Sequence, residues 1–222
     1  MKKLFSVIVL IIILIFGFKF ITNDYVFNKI LRYCETSTYL QPVSKNIINI
    51  ACKFRISVKY DNASETEIIP NDLLSKITPN GTYILIDLSQ PCNKRRLWVV
   101  QDNNIILNCR VGHGMKSGYL FSTKFSNDFG SNMSSLGEFV TGGEYTNSKL
   151  GRCMNIHGLE PGVNNNAYAR GIRFHASKYA ADEFFNKNGR IGRSLGCFTT
   201  STDDNNFIIN TTKNGCKIFV IG

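Results

Sequence analysis

A cysteine in a glycine-rich segment, preceded by a histidine, is the strongest chemical signal in this sequence. Cys197 ends the run Gly-Arg-Ser-Leu-Gly-Cys at 192–197, and His175 lies 22 positions earlier (197 − 175). Glycines allow the backbone around the thiol to approach a ligand closely. The thiolate is the reactive form, and because a free thiol titrates near ~8.5 it needs a base such as imidazole to react at neutral pH. We therefore predict Cys197 as nucleophile and His175 as general base, the alternative being a buried structural cysteine beside an unrelated histidine.

The residues around this cysteine suggest how a substrate is held. Arg193 has the right charge to grip a substrate carboxylate, although a structural salt bridge would use it equally well. Ser194 lacks a Gly-x-Ser-x-Gly elbow, so we expect it to bond loop backbone or ligand rather than act as a nucleophile. The backbone N–H groups of Gly196 and Cys197 are predicted to form the oxyanion hole.

Six blocks of sequence, in order between residues 80 and 222, resemble the murein L,D-transpeptidases (YkuD-type catalytic domain). The resemblance is strongest to the divergent branch known as the murein L,D-transpeptidase catalytic domain family. The blocks are Ile-Asp-Leu-Ser-Gln-Pro at 86–91, Gly-His-Gly at 112–114 with Ser-Gly at 117–118, Thr-Lys-Phe-Ser-Asn at 123–127, Ser-Ser-Leu-Gly at 134–137, Gly-Leu-Glu-Pro-Gly at 158–162, and Gly-Arg-Ile-Gly-Arg-Ser at 189–194 ahead of Gly-Cys at 196–197.

The resemblance implies an α+β, mainly β fold: a β-sandwich-like L,D-transpeptidase catalytic domain with a few helices. It also implies a thioester acyl-enzyme, formed on the cysteine from a peptidoglycan tetrapeptide stem and transferred to an amine acceptor, with no metal or organic cofactor. The group that orients the histidine in the family is often a main-chain carbonyl. His113 belongs to a shared block and is expected in the substrate cleft or in a turn. Two residues depart from the family pattern, since Leu195 replaces its usual histidine and Ala176 its common glycine.

Other functions use the same residues or different ones. If water resolves the acyl-enzyme, the enzyme is an L,D-carboxypeptidase, and if neither reaction occurs the chain is a catalytically silent cell-wall-binding protein. A zinc site built from the three histidines and Cys197 would suit the metal, but His-Glu-x-x-His and Cys-x-x-Cys spacings are missing. His157 is predicted to be a surface or loop residue.

The N-terminus and the charge indicate an exported protein. Two lysines precede an apolar run at 4–18, which is typical of a signal peptide, whereas a full span needs about 20 apolar residues. We predict that residues 1–23 are a signal peptide or an uncleaved anchor in the cytoplasmic membrane, with the rest on its periplasmic or cell-envelope side. The net charge of +10 fits an anionic envelope, and no nucleic-acid-binding motif accompanies it.

Export gives meaning to the seven cysteines. A nucleophile must stay reduced, so Cys197 is the natural odd one, and the other six either form disulfides or act as small buried hydrophobes.

The resemblance implies a catalytic domain at 80–222, and the sequence before it, at 24–79, is predicted to be a helical and linker region. Helices are predicted at 24–34, 178–187 and 202–213, the last two capped by Ser177 and Ser201. Strict alternation predicts a strand at 52–60, and apolar runs predict strands at 83–88, 97–100, 105–111, 138–141, 173–175 and 216–221, with a hairpin turn at 102–104.

Overall fold

The computed structural model describes residues 24–59 and 68–222, and the chain divides between Ser64 and Glu65 into two compact units. The first unit contains the helices α1 (Asp24–Thr36) and α2 (Gln41–Lys59). The predicted amphipathic helix at 24–34 is confirmed as α1, in which Leu31 and Cys34 are buried. The predicted segment at 1–23 lies outside the described residues. Within the described ranges, no helix has the length and apolar character that crossing a membrane requires.

The strand predicted at 52–60 is wrong, because α2 continues through Lys59. The buried residues of this helix include Ser44, Ile48 and Cys52, spaced four residues apart, as expected on one face of a helix. The helix extends through the alternating segment, so a short run of alternating residues did not distinguish a strand from a helix.

The second unit is built on one eight-stranded sheet with the strand order β3-β2-β1-β8-β4-β5-β6-β7. The strands are β1 (Thr82–Asp87), β2 (Leu97–Gln101), β3 (Asn104–Cys109), β4 (Gly137–Asn147), β5 (Gly151–Gly158), β6 (Arg173–Ala176), β7 (Phe198–Thr200) and β8 (Lys217–Ile221). Just after β3, Gly112 forms an isolated bridge with Thr199 of β7, so the two edges of the sheet nearly meet. The predicted mainly β, α+β fold is confirmed.

The hairpin between β2 and β3 forms where the sequence predicts it. Asp102 and Asn103 both have positive φ, 49° and 64°, the conformation that the favoured tight hairpin turns require. Strand β4 is longer than the strand predicted at 138–141, and its hairpin partner β5 was not predicted. A register shift between Thr141 and Glu144, at Gly142 and Gly143, interrupts the alternation on which the prediction depended.

One apolar core fills the inside of the sheet and includes Phe139, Met154, Phe174, Phe198 and Ile218. Residues next to these along the strands point to the outer face, because side chains alternate along a strand. On β6 this leaves Arg173 and His175 on the outer face. The fold therefore assigns His175 to a different side of the sheet from the main core.

Short helices flank the sheet: α3 (Asn71–Leu74), α4 (Asp182–Asn188) and α5 (Thr202–Thr212). The predicted helix at 178–187 divides into a 3₁₀ turn, Lys178–Ala180, and α4, which ends at Gly189 with φ 72° as expected. Ser177 makes no side-chain cap hydrogen bond there. Ser201 does cap α5, accepting a hydrogen bond from the Asp204 backbone N–H at 3.1 Å.

Candidate active site

The pairing of β6 with β7 brings Cys197 and His175 to one region. The two strands are parallel, with Phe174 opposite Phe198 and His175 opposite Thr199. Cys197 directly precedes β7, so the alternation of the strand places it on the outer face, beside Arg173 and two residues from His175. The thiol donates to the Gly171 carbonyl at 3.5 Å, just before β6 begins. Both side chains are nearly enclosed, with Cys197 9% and His175 5% exposed.

The His175 ring is oriented by a main-chain carbonyl. Its Nδ1 lies 2.9 Å from the Ala176 carbonyl oxygen, which can only accept a hydrogen bond. Nδ1 therefore carries the proton in the neutral ring, and Nε2 keeps a lone pair. This tautomer is the one in which Nε2 can accept a proton from a thiol.

Burial controls the protonation of both groups. It raises the pKa of the Cys197 thiol above its ordinary value of 9.0, although the backbone N–H and the charge of Arg173 oppose the rise. It also lowers the pKa of the His175 imidazole below 6.5, against the effect of the Ala176 hydrogen bond. At neutral pH the resting site therefore holds a thiol and a neutral imidazole rather than an ion pair.

Alkylation should reveal this resting state. We expect iodoacetamide to react slowly with Cys197 at pH 7, and the rate to rise about tenfold per pH unit until the pH passes 9, because only the thiolate reacts. Mass spectrometry of the peptide containing Cys197 measures the rate at each pH. Fast alkylation that is independent of pH between 5 and 7 would instead indicate a thiolate–imidazolium pair and contradict this reading.

No disulfide joins any two of the seven cysteines, all of which belong to the described residues. Apart from Cys197, five of them are buried and Cys216 is partly buried, which favours the alternative in which they act as small hydrophobes. Cys153 faces His175 across β5 and β6. Since β6 lies between β5 and β7, Cys153 is two strands, roughly 10 Å, from Cys197. A disulfide needs Cα atoms within about 7 Å, so Cys153 cannot capture the Cys197 thiol without moving the sheet.

Ser194 and Gly196 shape the cysteine loop, defined as residues 192–197. Ser194 Oγ donates to the Cys197 carbonyl at 2.6 Å and accepts from the Gly196 N–H at 3.0 Å. The structure thus differs from the prediction that Gly196 supplies an oxyanion donor, because its N–H is used inside the loop. It also assigns Ser194 to loop backbone rather than to a ligand. Gly196 has φ 126°, and a Cβ there would lie 2.8 Å from the Met133 carbonyl oxygen, so only glycine fits.

The guanidinium of Arg193 is bound to protein groups and not held free for a substrate. Its Nη1 donates to the carbonyls of Met115 and Gly118 at 2.9 and 3.0 Å, and its guanidinium lies 4.8 Å from the centroid of the Tyr119 ring. These contacts fasten the cysteine loop to the supporting loop, defined as residues 112–118. This placement favours the structural role that the sequence left open.

His113 is fully buried and does not face a cleft. Arg96 Nη2 donates to its Nδ1 at 2.8 Å, and its Nε2 donates to the Gly118 carbonyl at 3.3 Å. Burial and the charge of Arg96 hold the pKa of His113 well below 6.5, so the ring is neutral. Its carbonyl accepts the Ser194 N–H at 2.9 Å. His113 therefore supports the cysteine loop from behind.

Several residues around the site were missed by sequence reasoning. Arg170 joins residues 126–135, donating to the Ser126 and Met133 carbonyls at 2.7 Å and to the Ser131 and Ser135 hydroxyls at 2.9 and 2.7 Å. Ser134 Oγ donates to the Gly196 carbonyl at 3.1 Å. Ser134 belongs to one of the six sequence blocks, which was the available signal, but its partner is 62 residues away.

The remaining histidine stacks on an aromatic ring. His157 is exposed on β5, where its ring stacks on Tyr168 with centroids 4.5 Å apart. The surface position is confirmed, although the residue is in a strand. Within residues 24–59 and 68–222, no three His, Cys, Asp or Glu side chains form a group that could hold a metal ion.

A sequence family accounts for this fold. The L,D-transpeptidase catalytic domain family matches residues 61–221, so the chain belongs to that family. No curated protein matches the sequence significantly.

Solved structures with a similar fold include three L,D-transpeptidases. One from Mycobacterium smegmatis is 12% identical, with 64% of this chain and 58% of that chain covered and a TM-score of 0.42. L,D-transpeptidase 3 from Mycobacterium tuberculosis, solved with a faropenem-derived adduct, is 12% identical, with coverages of 64% and 60% and a TM-score of 0.43. One from Stackebrandtia nassauensis is 19% identical, with coverages of 87% and 76% and a TM-score of 0.41. The chain thus spans less than two thirds of the two mycobacterial proteins.

Proposed function

We propose that this protein is a peptidoglycan L,D-transpeptidase in which Cys197 is the nucleophile and His175 the general base. The observation that carries the proposal is a buried thiol on the same sheet face as an imidazole whose Nδ1 is held by the Ala176 carbonyl. This arrangement leaves Nε2 as the only ring nitrogen able to take up a proton. Membership of the L,D-transpeptidase catalytic domain family supports the reaction class.

The first half of the reaction forms a thioester. As Nε2 of His175 takes the thiol proton, the sulfur attacks the carbonyl carbon of the third residue of a tetrapeptide stem. The bond from this carbon to the terminal alanine nitrogen then breaks, and the imidazolium returns the proton to the departing amine. The Cys197 N–H lies beside its own sulfur and lowers the pKa of the thiol, so it is positioned for the oxyanion that develops there.

The second half transfers the acyl group. An amine of another stem attacks the thioester, His175 removes its proton, and the thiol leaves with that proton, giving a new amide bond between third-position residues. Water in place of the amine gives a carboxylic acid by the same steps. Both reactions need no metal or organic cofactor.

The setting we propose is the cell envelope. Residues 1–23 are proposed to be a signal peptide or anchor, and residues 80–222 to be the catalytic domain beyond the membrane. A net charge of +10 favours association with anionic wall polymers.

Product analysis with defined muropeptides tests the function. The purified full chain is incubated with a tetrapeptide donor and a stem acceptor, and the products are identified by mass spectrometry. We expect a cross-linked dimer lighter than the two reactants by one alanine. A tripeptide alone would indicate an L,D-carboxypeptidase, and unchanged muropeptides bound to folded protein would indicate a silent wall-binding protein.

A further inference from the structure

Arg173 is the cross-strand neighbour of Cys197 in the sheet. It occupies the first position of β6, where the register of Phe174 with Phe198 puts it beside Cys197 on the outer face. Tyr145 of β4 lies on the same face, since Tyr145 pairs with Cys153, and Cys153 pairs with His175. The Arg173 guanidinium is 5.4 Å from the centroid of the Tyr145 ring, in agreement with this placement. Its side chain therefore extends over the surface on which the thiol and the imidazole lie.

The guanidinium of Arg173 has hydrogen-bonding capacity to spare. Its Nε donates to the Gly171 carbonyl at 2.7 Å, which fixes the base of the group. Within residues 24–59 and 68–222, Arg173 takes part in no ion pair. The side chain is only partly buried, so a ligand can reach it. A planar guanidinium with its two Nη groups open is the side chain best suited to bind a carboxylate with two parallel hydrogen bonds.

The other arginines near the site are committed to protein groups. Arg193 and Arg170 hold loop carbonyls and hydroxyls. Arg96 is fully buried against the carbonyls of Val111 and Gln90 and the ring of His113. Arg173 is thus the arginine of this face whose two Nη groups make no hydrogen bond to the described residues.

We propose that Arg173 binds the terminal carboxylate of the donor peptide, which makes it the specificity-determining residue for the group that leaves. This inference rests on the proposed function. The terminal carboxylate is separated from the scissile carbonyl only by one nitrogen and one α-carbon, so a partner for it must lie next to the sulfur. The Arg173 Nε and the Cys197 thiol both donate to the Gly171 carbonyl, which puts the base of the guanidinium close to that position, whereas the sequence favoured Arg193. The same positive charge opposes the rise in the pKa of Cys197 and favours the neutral form of His175.

Two donors that differ in one group test the proposal. The full chain is assayed with a tetrapeptide stem that ends in a carboxylate and with the same stem ending in a carboxamide. For the unmodified protein we expect kcat/KM to be about 10- to 100-fold higher for the carboxylate, the range for a charge-assisted hydrogen-bonded pair. In Arg173→Gln we expect this ratio to fall to near one, because only the carboxylate donor loses a partner. Arg173→Lys should keep part of the preference, since it retains the charge without the planar pair of donors.

Lys149→Gln, at an exposed position in the β4–β5 turn, controls for the loss of one positive charge and should keep the full ratio. A structural or purely electrostatic role for Arg173 would lower kcat/KM for both donors equally in Arg173→Gln, and that result overturns the proposal. An equal rate for both donors in the unmodified protein also overturns it while leaving the transpeptidase function intact. Turnover of neither donor by the folded protein removes the proposed function and this inference together. If Arg173→Gln does not fold, the ratio in Arg173→Lys decides, and an unchanged ratio there counts against the proposal.

Discussion

Cys197→Ala is expected to eliminate acyl-enzyme formation and to lower turnover by at least about 10⁴-fold, because it removes the atom that forms the covalent bond. The measurement is mass spectrometry of the intact chain after exposure to a carbapenem, which should add one covalent adduct to the unmodified protein and none to the variant. Stability should change little by comparison, since alanine fills most of the space of a 9% exposed cysteine side chain.

Cys153→Ala provides a matched control for this experiment. Cys153 is a second buried thiol on the same sheet face, placed across from His175. We expect the adduct to persist in this variant and to map to Cys197. An adduct that is lost in Cys153→Ala but retained in Cys197→Ala would show that the nucleophile is misassigned.

His175→Gln is expected to slow acylation by about 10²- to 10⁴-fold at pH 7, the usual contribution of a general base. Glutamine has no basic nitrogen, so the variant cannot accept a proton from the thiol. The size of the acylation defect in His175→Gln should depend on pH. Because the pKa of Cys197 lies above 9.0, raising the pH toward and beyond that value forms the thiolate without a base, and the defect of the variant should shrink.

Rapid measurement of carbapenem acylation between pH 5 and pH 10 follows this trend. In the unmodified protein the acid limb should fall below pH 6.5, where His175 becomes protonated, since burial lowers the pKa of the imidazole. His157→Gln serves as the control, because this exposed ring stacks on Tyr168 and is not one of the two proposed catalytic side chains. A defect in His175→Gln of the same size at every pH would exclude proton transfer as the function of His175.

Local sequence patterns were sufficient to predict elements whose conformation is set by neighbouring residues in the chain. The β2–β3 hairpin was predictable because Asp102 and Asn103 tolerate the positive φ of its turn, and α5 because Ser201 caps it. The helical conformation of 52–59 was not predictable, because alternation over a few residues also occurs at the end of a helix that begins earlier in the chain. The strand β5 was missed because Gly142 and Gly143 break the pattern of its partner, and cross-strand pairing is not visible in one strand alone.

In the candidate site too, some features were predictable from the sequence and others depended on contacts between distant residues. The sequence blocks were enough to recognise the family, and with the residue types they led to the prediction of Cys197 and His175, because these depend on chemistry that individual side chains carry. The tertiary structure decided which groups remain available to a ligand. Arg193, His113 and the Gly196 N–H are each used by partners distant in sequence or by the loop itself, whereas Arg173 retains open donors beside the sulfur. Hydrogen-bond partners depend on how strands and loops meet in space, and a sequence read along the chain does not contain that information directly.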